Sequence, residues 1–343
     1  MKRSILLSAL GLVVGLSIGL ALAYLSGESP ITVLTVIAKS AFGSRYDLGV
    51  TLYYATALTF TGLSVAVAFH AGLFNIGAEG QLVMGTLAAV LVVHFFPGLP
   101  AGVAPLVAVL GALIGGGIWG WIPGWLRTRR GSHEVINTIM FNFIAAAISS
   151  WVITAKLQNP GSQSPESAPV PAAYFLRTWD PFVQWFEDSP VSVAFPAAVV
   201  VAILLWAFLW KTPWGFEIRA SGENEEASRT AGIDVARCRQ LAMALAGALA
   251  GLVALNEVLG GVGKFRLGFS PDFGFIGIAV ALLARNHPIG ILFTAFLFGA
   301  LHKGAADLDI ETDYITRDLS LVIQALVILC VSIAVAYRAK GRR

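Results

Sequence analysis

The sequence predicts an all-α integral membrane protein with about ten transmembrane helices, on three observations. Hydrophobic residues make up 57% of the 343 residues and charged residues only 13%, whereas a soluble domain carries about 25% charged residues. The apolar residues form about ten long runs, and a helix needs roughly 20 residues to cross the hydrocarbon core. Most Lys and Arg residues lie in alternate gaps between these runs. The sequence therefore predicts a single transmembrane domain over 1–343, with no room for a soluble catalytic domain.

The predicted spans are the runs of the chain with the fewest charges. They are 5–25, 48–70, 79–96, 102–125, 135–154, 192–210, 241–259, 273–283, 289–302 and 319–337. The first, within 1–25, has a basic beginning and a long apolar stretch, which favours a retained span. A cleaved signal peptide is the alternative, because the small residues at 26–27 would suit cleavage.

The charges of the gaps predict the orientation. Cytosolic loops of membrane proteins are enriched in Lys and Arg, and here the basic gaps follow the fourth and sixth spans and the last span. Their cations are Arg127, Arg129, Arg130, Lys211, Arg219, Arg229, Arg237, Arg239, Arg338, Lys340, Arg342 and Arg343. An acidic run falls in a predicted outer loop and contains Asp307, Asp309, Glu311, Asp313 and Asp318. We therefore expect both termini in the cytosol.

Two blocks of the chain, 48–154 and 241–337, share an organisation. The first block starts outside and the second inside, and each has a Gly-rich break after its first span. The breaks read GLFNIGAEGQ at 72–81 and GGVGKFRLGFSPDFGFIG at 260–277. Inverted repeats with broken helices in matching places are typical of transport proteins, where the breaks mark the path of the solute. The sequence therefore predicts two inverted repeat blocks with broken or re-entrant helices.

The first break places Asn75, Glu79 and Gln81 between two apolar runs. A carboxylate at membrane depth costs a few kcal/mol, so it normally faces a cavity or a partner. Irregular backbone at that depth must be covered by protein or line water. The break is therefore a candidate re-entrant turn beside a solute path. A cytosolic turn with Glu79 in the first turn of a helix, where the dipole favours an acid, is the alternative, and both can hold.

Other side chains within the spans are further candidates for the path. Asn137 and Asn142 lie five residues apart, hence roughly 140° apart around a helix, so they do not share a narrow face. Asn256 and Glu257 lie near the outer end of the span 241–259. Their amide and carboxylate groups suit a polar solute, and hydrogen bonding between helices suits each of them equally well. Phe74 offers an aromatic ring on which a solute could stack, and packing within the bundle is the alternative role.

The gap 211–240 carries the second strong motif, in which Ala227 follows Glu226 directly and Gly232 lies six residues after Glu226. A helix face of small residues packs closely, while Glu226 and Arg229 suit pairing with charges of a partner. This spacing resembles the EAA-loop signature of ABC importer permeases, in which a short helix docks in a groove of the ATPase subunit. A solvated amphipathic loop is the alternative.

Four segments, read in order, resemble the permease family of ABC importers for ribose-type sugars, branched-chain amino acids and nucleosides. They are GLFNIGAEGQ at 72–81, SHEVINTIMFNFIA at 132–145, TPWGFEIRASGENEEASRTAGI at 212–233 and ALAGALAGLVALNEVLG at 244–260. Within the family, the string at 74–81 is most similar to nucleoside-importer permeases, which work with lipoprotein binding proteins. The resemblance implies an ATPase-coupling segment at 211–240, with contacts from Glu225, Glu226, Ala227, Arg229 and Gly232.

The resemblance also implies the partners and the location. The partners are ATP-binding-cassette ATPase subunits, a second permease subunit in a homodimer or heterodimer, an extracytoplasmic solute-binding protein and membrane lipid. The location is the bacterial cytoplasmic (inner) membrane. The string at 260–265 ends in Phe265 and does not satisfy the P-loop pattern, so ATP-Mg is expected on the partner ATPase. The His and Cys residues lack metal-ligand spacing, and we expect no cofactor, metal, nucleic acid or enzymatic activity of this chain's own.

Two functions stay open at this point. The first is a permease subunit of an ATP-driven importer for a small polar solute, with nucleosides favoured over simple sugars or branched-chain amino acids. The second is an ion-coupled secondary transporter in which Glu79 or Glu257 titrates. The segment 211–240 discriminates between them, because a secondary transporter needs no docking helix.

Overall fold

The computed structural model describes residues 2–176 and 184–340, and that part of the chain is almost entirely helical. Arg342 and Arg343 of the expected cytosolic tail lie outside the described residues. The helices are α1 (Lys2–Leu25), α2 (Pro30–Phe42), α3 (Arg45–His70), α4 (Ala78–Phe95), α5 (Ala104–Arg130), α6 (Glu134–Val152), α7 (Ala194–Lys211), α8 (Pro213–Glu223), α9 (Glu225–Thr230), α10 (Val235–Gly251), α11 (Phe273–Leu283), α12 (Pro288–Glu311) and α13 (Arg317–Lys340).

Seven helical stretches of the described chain are long and apolar enough to cross a membrane. They are Arg45–His70, Ala78–Phe95, Ala104–Arg130, Glu134–Leu157, Ala194–Lys211, Val235–Gly261 and Pro288–Glu311. Two of them continue past an α-helix through a π-helical turn, after α6 and after α10. Three shorter apolar helical stretches, at 13–25, 30–42 and 273–283, accompany them. The prediction of an all-α, multi-pass membrane protein is confirmed.

Helix α2 corrects the predicted spans, which left 26–47 as a gap between the first two. The helix begins with Pro30 in its first turn, where the missing N–H costs nothing because that donor has no partner within a helix. Its 13 residues are fewer than a span needs, and it packs along α12 and against α3. The stretch is therefore a short apolar helix of the bundle.

Helix α12 corrects a second expectation, because it continues to Glu311 and does not end at His302. The acidic residues expected in an outer loop therefore begin within its last turns. Lys303 pairs with Asp307 one turn further along the helix and with Asp47 of α3. These pairs compensate charge where α12 meets α3.

Glycines allow α5 and α10 to pack with their backbones almost in contact. A Cβ added at Gly116 would lie 2.3 Å from the carbonyl oxygen of Gly247, and one at Gly85 of α4 would lie 2.3 Å from the Cα of Gly251. Only small residues permit such an approach between membrane helices. The result is a tight group of α4, α5 and α10 beside the buried helix α3.

Helix α4 begins inside the bundle. Its start at Ala78 follows the segment 71–77, which turns back beside α3 after that helix ends at His70. Within the segment, the Asn75 side chain lies 3.4 Å from the hydroxyl of Ser64, six residues before the end of α3. This segment, named here the inner re-entrant segment, confirms that the helical path is broken at 72–77.

Helix α11 also begins inside the bundle, after the non-helical stretch 262–272. Its first residue, Phe273, packs on Tyr54 of α3 with ring centroids 6.2 Å apart. Further along, a Cβ added at Gly277 would lie 2.5 Å from the hydroxyl of Thr61. Helix α11 therefore runs along α3 in the same direction. It starts at the level of Tyr54, well after the first residue of α3. We name 262–272 the outer re-entrant segment.

Candidate functional site

A cavity of about 350 Å³ lies between α4, α6 and the outer re-entrant segment. Its volume falls in the range of about 300–1,000 Å³ that is common for small-molecule pockets. One carboxylate, one amide and three hydroxyls face apolar walls. The lining residues are Glu79, Gly80, Val83, Asn142, Ala146, Ser149, Ser150, Phe265, Leu267, Gly268, Phe269 and Ser270. Because Ala146 and Ser150 are exposed, the cavity opens along the face of α6.

Glu79 presents the carboxylate of this cavity. Its Oε2 accepts a hydrogen bond of 2.7 Å from the backbone N–H of Gly274 in the first turn of α11, and the Ser270 side chain bonds the same carboxylate. Glu79 itself lies in the first turn of α4. Since helix N-termini carry partial positive charge, both helices favour a negative group here. The carboxylate is therefore fixed where the two N-termini meet.

Asn142 of α6 braces the inner re-entrant segment against the cavity. Its Nδ2 donates to the carbonyl oxygen of Ile76 at 3.0 Å, and its Oδ1 accepts from the N–H of Gly80 at 2.8 Å. The amide thus supplies partners for two backbone groups at the start of α4, which lie beyond the reach of the helix's own hydrogen bonds. Asn142 lines the cavity while holding its wall in place.

Asn75 and Gln81 form a closed, buried pair away from the cavity. Asn75 Nδ2 donates to Gln81 Oε1 at 2.9 Å, and Gln81 Nε2 donates to Asn75 Oδ1 at 3.1 Å. Asn75 Oδ1 also accepts from the N–H of Gly77 at 3.0 Å. Both side chains are buried. They therefore fold the inner re-entrant segment and are not among the residues lining the cavity.

Phe74 and Asn137 also lie apart from the cavity. The Phe74 ring packs edge-on against Phe69 of α3, with centroids 5.2 Å apart. Asn137 donates to the hydroxyl of Ser132 at 2.6 Å, just before α6. Asn137 and Asn142 therefore have different partners, in agreement with the roughly 140° expected between them around the helix.

Asn256 and Glu257 form a sealed polar cluster with Tyr53 of α3. The Tyr53 hydroxyl donates to Glu257 Oε2 at 2.5 Å. Asn256 Nδ2 donates to Glu257 Oε1 at 3.1 Å and lies 3.2 Å from the Tyr53 carbonyl oxygen. All three side chains are buried. The cluster fastens the π-helical turn that follows α10 to α3, and none of it lines the cavity.

The sequence did not single out the hydroxyls and rings of the outer re-entrant segment that line the cavity. Phe265 and Phe269 pack edge-on, with centroids 5.1 Å apart. The loop after α6 holds this segment, because the N–H of Ser167 donates to the Phe265 carbonyl at 2.9 Å and Lys264 pairs with Glu166 at 2.7 Å. The Gly-rich break was the available signal, since it marks where backbone comes close to other elements.

Helix α9 is the short helix of the expected coupling motif. The Asn224 side chain accepts from the N–H of Ala227 at 3.0 Å and caps the helix. Glu225 pairs with Arg229 at 2.7 Å and with Arg239 of α10 at 2.8 Å. Hydrogen bonds from Arg229 and, to a smaller extent, from Arg239 lower the pKa of Glu225. Arg229 therefore pairs with Glu225 within the chain, while its side chain stays 66% exposed.

Gly232 ends α9 with a left-handed turn. Its φ is +83°, with no atom within 4 Å of an added Cβ. The N–H of Ile233 donates to the Ser228 carbonyl at 2.9 Å, and the N–H of Gly232 donates to that of Arg229 at 3.0 Å, which is the glycine-terminated Schellman motif. Glu226, Ala227 and Gly232 are exposed. Among the described residues, no cluster of three or more His, Cys, Asp or Glu offers a metal site.

Comparison with known proteins places the chain in a family. Residues 48–332 match the family described as branched-chain amino acid transport system/permease component. The chain is 36% identical to the guanosine ABC transporter permease protein NupP of Bacillus subtilis, over 97% of this chain and 94% of that protein. It is 35% identical to the nucleoside ABC transporter permease protein NupB of Lactococcus lactis, over 96% and 91% of the two chains. It is 32% identical to the glucose ABC transporter permease protein TsgB13 of Haloferax volcanii, over 91% and 82%. The chain belongs to the branched-chain amino acid transport system/permease component family, as a multi-pass membrane subunit that serves transport and is not itself an enzyme.

Proposed function

We propose that this chain is the permease subunit of an ATP-binding-cassette importer that carries nucleosides across the bacterial cytoplasmic (inner) membrane, with both termini cytosolic. The cavity beside Glu79 carries the proposal, because it combines hydrogen-bonding groups with aromatic rings at the meeting point of two helices. Similarity to guanosine and nucleoside permeases, at 36% and 35% identity, supports the solute class.

The lining suits the two halves of a nucleoside. The carboxylate of Glu79 and the hydroxyls of Ser149 and Ser150 accept or donate the hydrogen bonds that a ribose offers. The partly exposed ring of Phe269, which packs on the buried ring of Phe265, offers an apolar face on which a base stacks, as bases do on aromatic side chains generally. The binding protein supplies the selectivity, so only weak binding is needed along the path.

One subunit supplies one wall of the path. The cavity opens along α6, and that helix exposes Ile136, Met140, Phe143 and Trp151. A second permease subunit, in a homodimer or heterodimer, covers the opening and completes the enclosure. Such a contact also keeps lipid away from the polar lining of the cavity, whose groups would find no partners in lipid.

Transport follows from alternating access. An extracytoplasmic binding protein delivers the solute, and ATP-Mg on the partner ATPases moves α9. The blocks 48–154 and 241–337 tilt against each other, with the junction of Glu79 and Gly274 between them. The head-to-head approach of α4 and α11 supports the reading of the two blocks as inverted repeats. Each step shifts the equilibrium by binding one state more tightly than the other.

Competition for uptake tests the solute. The complex with its ATPases, second permease and binding protein is reconstituted in proteoliposomes, and labelled guanosine uptake is measured against unlabelled nucleosides, glucose and leucine. We expect nucleosides alone to compete. Glucose is the second candidate, because a glucose permease is 32% identical to this chain; competition by glucose or leucine alone would contradict the nucleoside assignment. Uptake by this chain alone on an ion gradient would establish the secondary transporter instead.

The coupling segment has its own test. Glu226→Arg reverses an exposed charge, and Gly232→Val places a β-branched residue at positive φ, where it is strained. We expect both variants to insert in the membrane and to lose ATP-coupled uptake. Thr230→Ser, at an exposed position of the same helix, is the control. Unchanged uptake in both variants would refute docking at α9.

A further inference from the structure

Trp210, near the end of α7, is in contact with three other elements. Its ring centroid lies 5.2 Å from the ring of His70, the last residue of α3, and 5.3 Å from the ring of His287, just before α12. The guanidinium of Arg219, on α8, lies 5.3 Å above the same indole. One side chain thus joins α3, α7, α8 and the turn between α11 and α12.

Hydrogen bonds reinforce this group. A ring nitrogen of His70 lies 2.9 Å from the carbonyl oxygen of Asn286. Arg219 Nε donates to the carbonyl of Leu209 at 2.9 Å, which ties α8 to α7. The group formed by His70, Trp210, Arg219 and His287 is named here the inner hub. It is fixed by ring contacts and hydrogen bonds together.

Helix α8 also touches the inner re-entrant segment directly. A Cβ added at Gly222 would lie 2.3 Å from the carbonyl oxygen of His70 and 2.6 Å from the nitrogen of Gly72. The last turn of α8 therefore rests on the backbone where α3 gives way to the segment. Helix α9 starts three residues after Gly222. A displacement of α9 is therefore passed through a short connection to the contact of Gly222 with His70 and Gly72.

Both walls of the cavity connect to the inner hub. Through Gly72, the inner re-entrant segment leads to the Ile76 carbonyl and to Asn142, which line or brace the cavity. Through Asn286, helix α11 leads to Gly274, whose N–H holds Glu79. The first route starts at Gly222 of α8, and the second starts at His70, which Trp210 joins to Arg219 of α8. Both routes end at the cavity. The first route runs through the non-helical inner re-entrant segment, which Asn75 and Asn142 hold by hydrogen bonds, and the second runs through α11.

We propose that Trp210 and Gly222 transmit the movement of α8 and α9 to the cavity, and so act as positioning residues for ATP-coupled transport. Packed interiors respond to a shift by moving whole elements, because they are not continuously deformable. The inner hub makes α8, the inner re-entrant segment and α11 move as one unit. This inference rests on the proposed function, since it requires an ATPase that acts on α9.

The chain offers a matched control for Trp210. Trp206 lies one turn earlier on α7 and also has a cation near its ring, Lys211 at 5.7 Å. Among the described residues, its ring makes no contact with His70 or His287. Replacing Trp206 therefore removes an indole and a cation–π contact from the same helix while leaving the inner hub intact.

The experiment measures solute uptake and ATP hydrolysis in the same proteoliposomes of the full complex, with the amount of assembled complex determined. The variants are Trp210→Ala, Trp210→Phe, Gly222→Ala and Trp206→Ala. For Trp210→Ala and Gly222→Ala we expect uptake per ATP hydrolysed to fall by about tenfold, with hydrolysis retained. Trp210→Phe keeps a ring in the hub and restores most of the coupling, and Trp206→Ala behaves like the unmodified chain.

Three results would overturn the inference. One is an unchanged ratio of uptake to hydrolysis in both Trp210→Ala and Gly222→Ala. Another is an equal loss of the ratio in Trp206→Ala. A third is a parallel loss of uptake, hydrolysis and assembly that Trp210→Phe does not relieve, which denotes a purely structural role. If the unmodified complex imports no nucleoside with ATP, the proposed function itself fails, so the two failures are distinct.

Discussion

Glu79 and Glu257 are both carboxylates within apolar spans, and the structure places them in opposite settings. Glu79 borders the cavity and accepts from the backbone of Gly274, which belongs to another helix. Glu257 is sealed between Tyr53 and Asn256, away from the cavity. A carboxylate at membrane depth therefore indicates that a partner exists. Whether the acid serves the path or the packing depends on the partner and on access to a cavity.

The largest expected effect comes from separating Glu79 from its partner helix. In Gly274→Ala, the new Cβ would lie 2.3 Å from the Glu79 backbone nitrogen, so α4 and α11 must move apart. We expect uptake to be abolished. Gly117→Ala, whose Cβ would lie 3.4 Å from the nearest atom, is the control and stays active. Uptake assays on both variants check this, and an active Gly274→Ala would show that the junction is not needed.

Glu79→Gln is expected to have the next largest effect. The substitution keeps the side chain's size and removes the charge that two helix N-termini and the Gly274 N–H favour. Hydrogen bonds to charged groups contribute about 1.5–3 kcal/mol, which corresponds to roughly a 10- to 100-fold fall in initial uptake rate. The complex should assemble normally. Uptake within twofold of the unmodified chain would remove Glu79 from the path.

Tyr53→Phe tests whether Glu257, the sealed carboxylate, serves packing and not the solute path. It deletes the hydroxyl that donates to Glu257 and leaves a buried carboxylate oxygen with one donor fewer. We expect the free energy of unfolding to fall by about 1–3 kcal/mol, measured as a lower melting temperature in detergent. Uptake per assembled complex should not change. Reduced uptake at unchanged stability would place Glu257 on the solute path.

The smallest effect is expected at Glu225, a partly exposed carboxylate paired with Arg229 and Arg239. Exposed pairs contribute about 0–1 kcal/mol, and Glu225→Gln should cost no more. Because the pairs lower its pKa, their contribution is present above the unfolded pKa of about 4.3 and is lost as pH falls through the lower folded pKa. Melting temperatures at neutral and acidic pH check this. If Glu225→Gln still melts at a lower temperature than the unmodified chain at a pH below the folded pKa of Glu225, the pairs are not the cause of the difference.

The sequence predicted the fold class and most helices because long hydrophobic runs report removal from water, whether into lipid or into the helix bundle. The predicted span 273–283 coincides with α11, including its unusually short length. Helix α2 was missed because its 13 residues are too few for a span and therefore suggested a loop. The extension of α12 was missed because acidic residues end a hydrophobic run without ending a helix. Hydropathy reports removal from water, whether against lipid or against other helices, and it does not resolve short or charged helical turns, which are decided by packing.

The sequence predicted the site only in part. It selected Glu79 and Asn142, which line the cavity, together with Asn75, Gln81 and Glu257, which are paired internally. All five look alike along the chain, since each is a polar residue in an apolar run. Their separation depends on contacts between distant segments. The same holds for Ser270, which reaches the cavity only because the outer re-entrant segment folds into the bundle.

Cysteine labelling in the assembled importer tests most directly whether solute passes beside Glu79. With Cys238 and Cys330 replaced, Ser150→Cys places a thiol on the cavity wall, and Ile114→Cys places one on the exposed apolar face of α5. We predict that a water-soluble maleimide labels Ser150→Cys, at a rate that changes with ATP and nucleoside-loaded binding protein, and does not label Ile114→Cys in lipid. An unreactive Ser150→Cys, or a labelling rate independent of solute and ATP, would contradict the account.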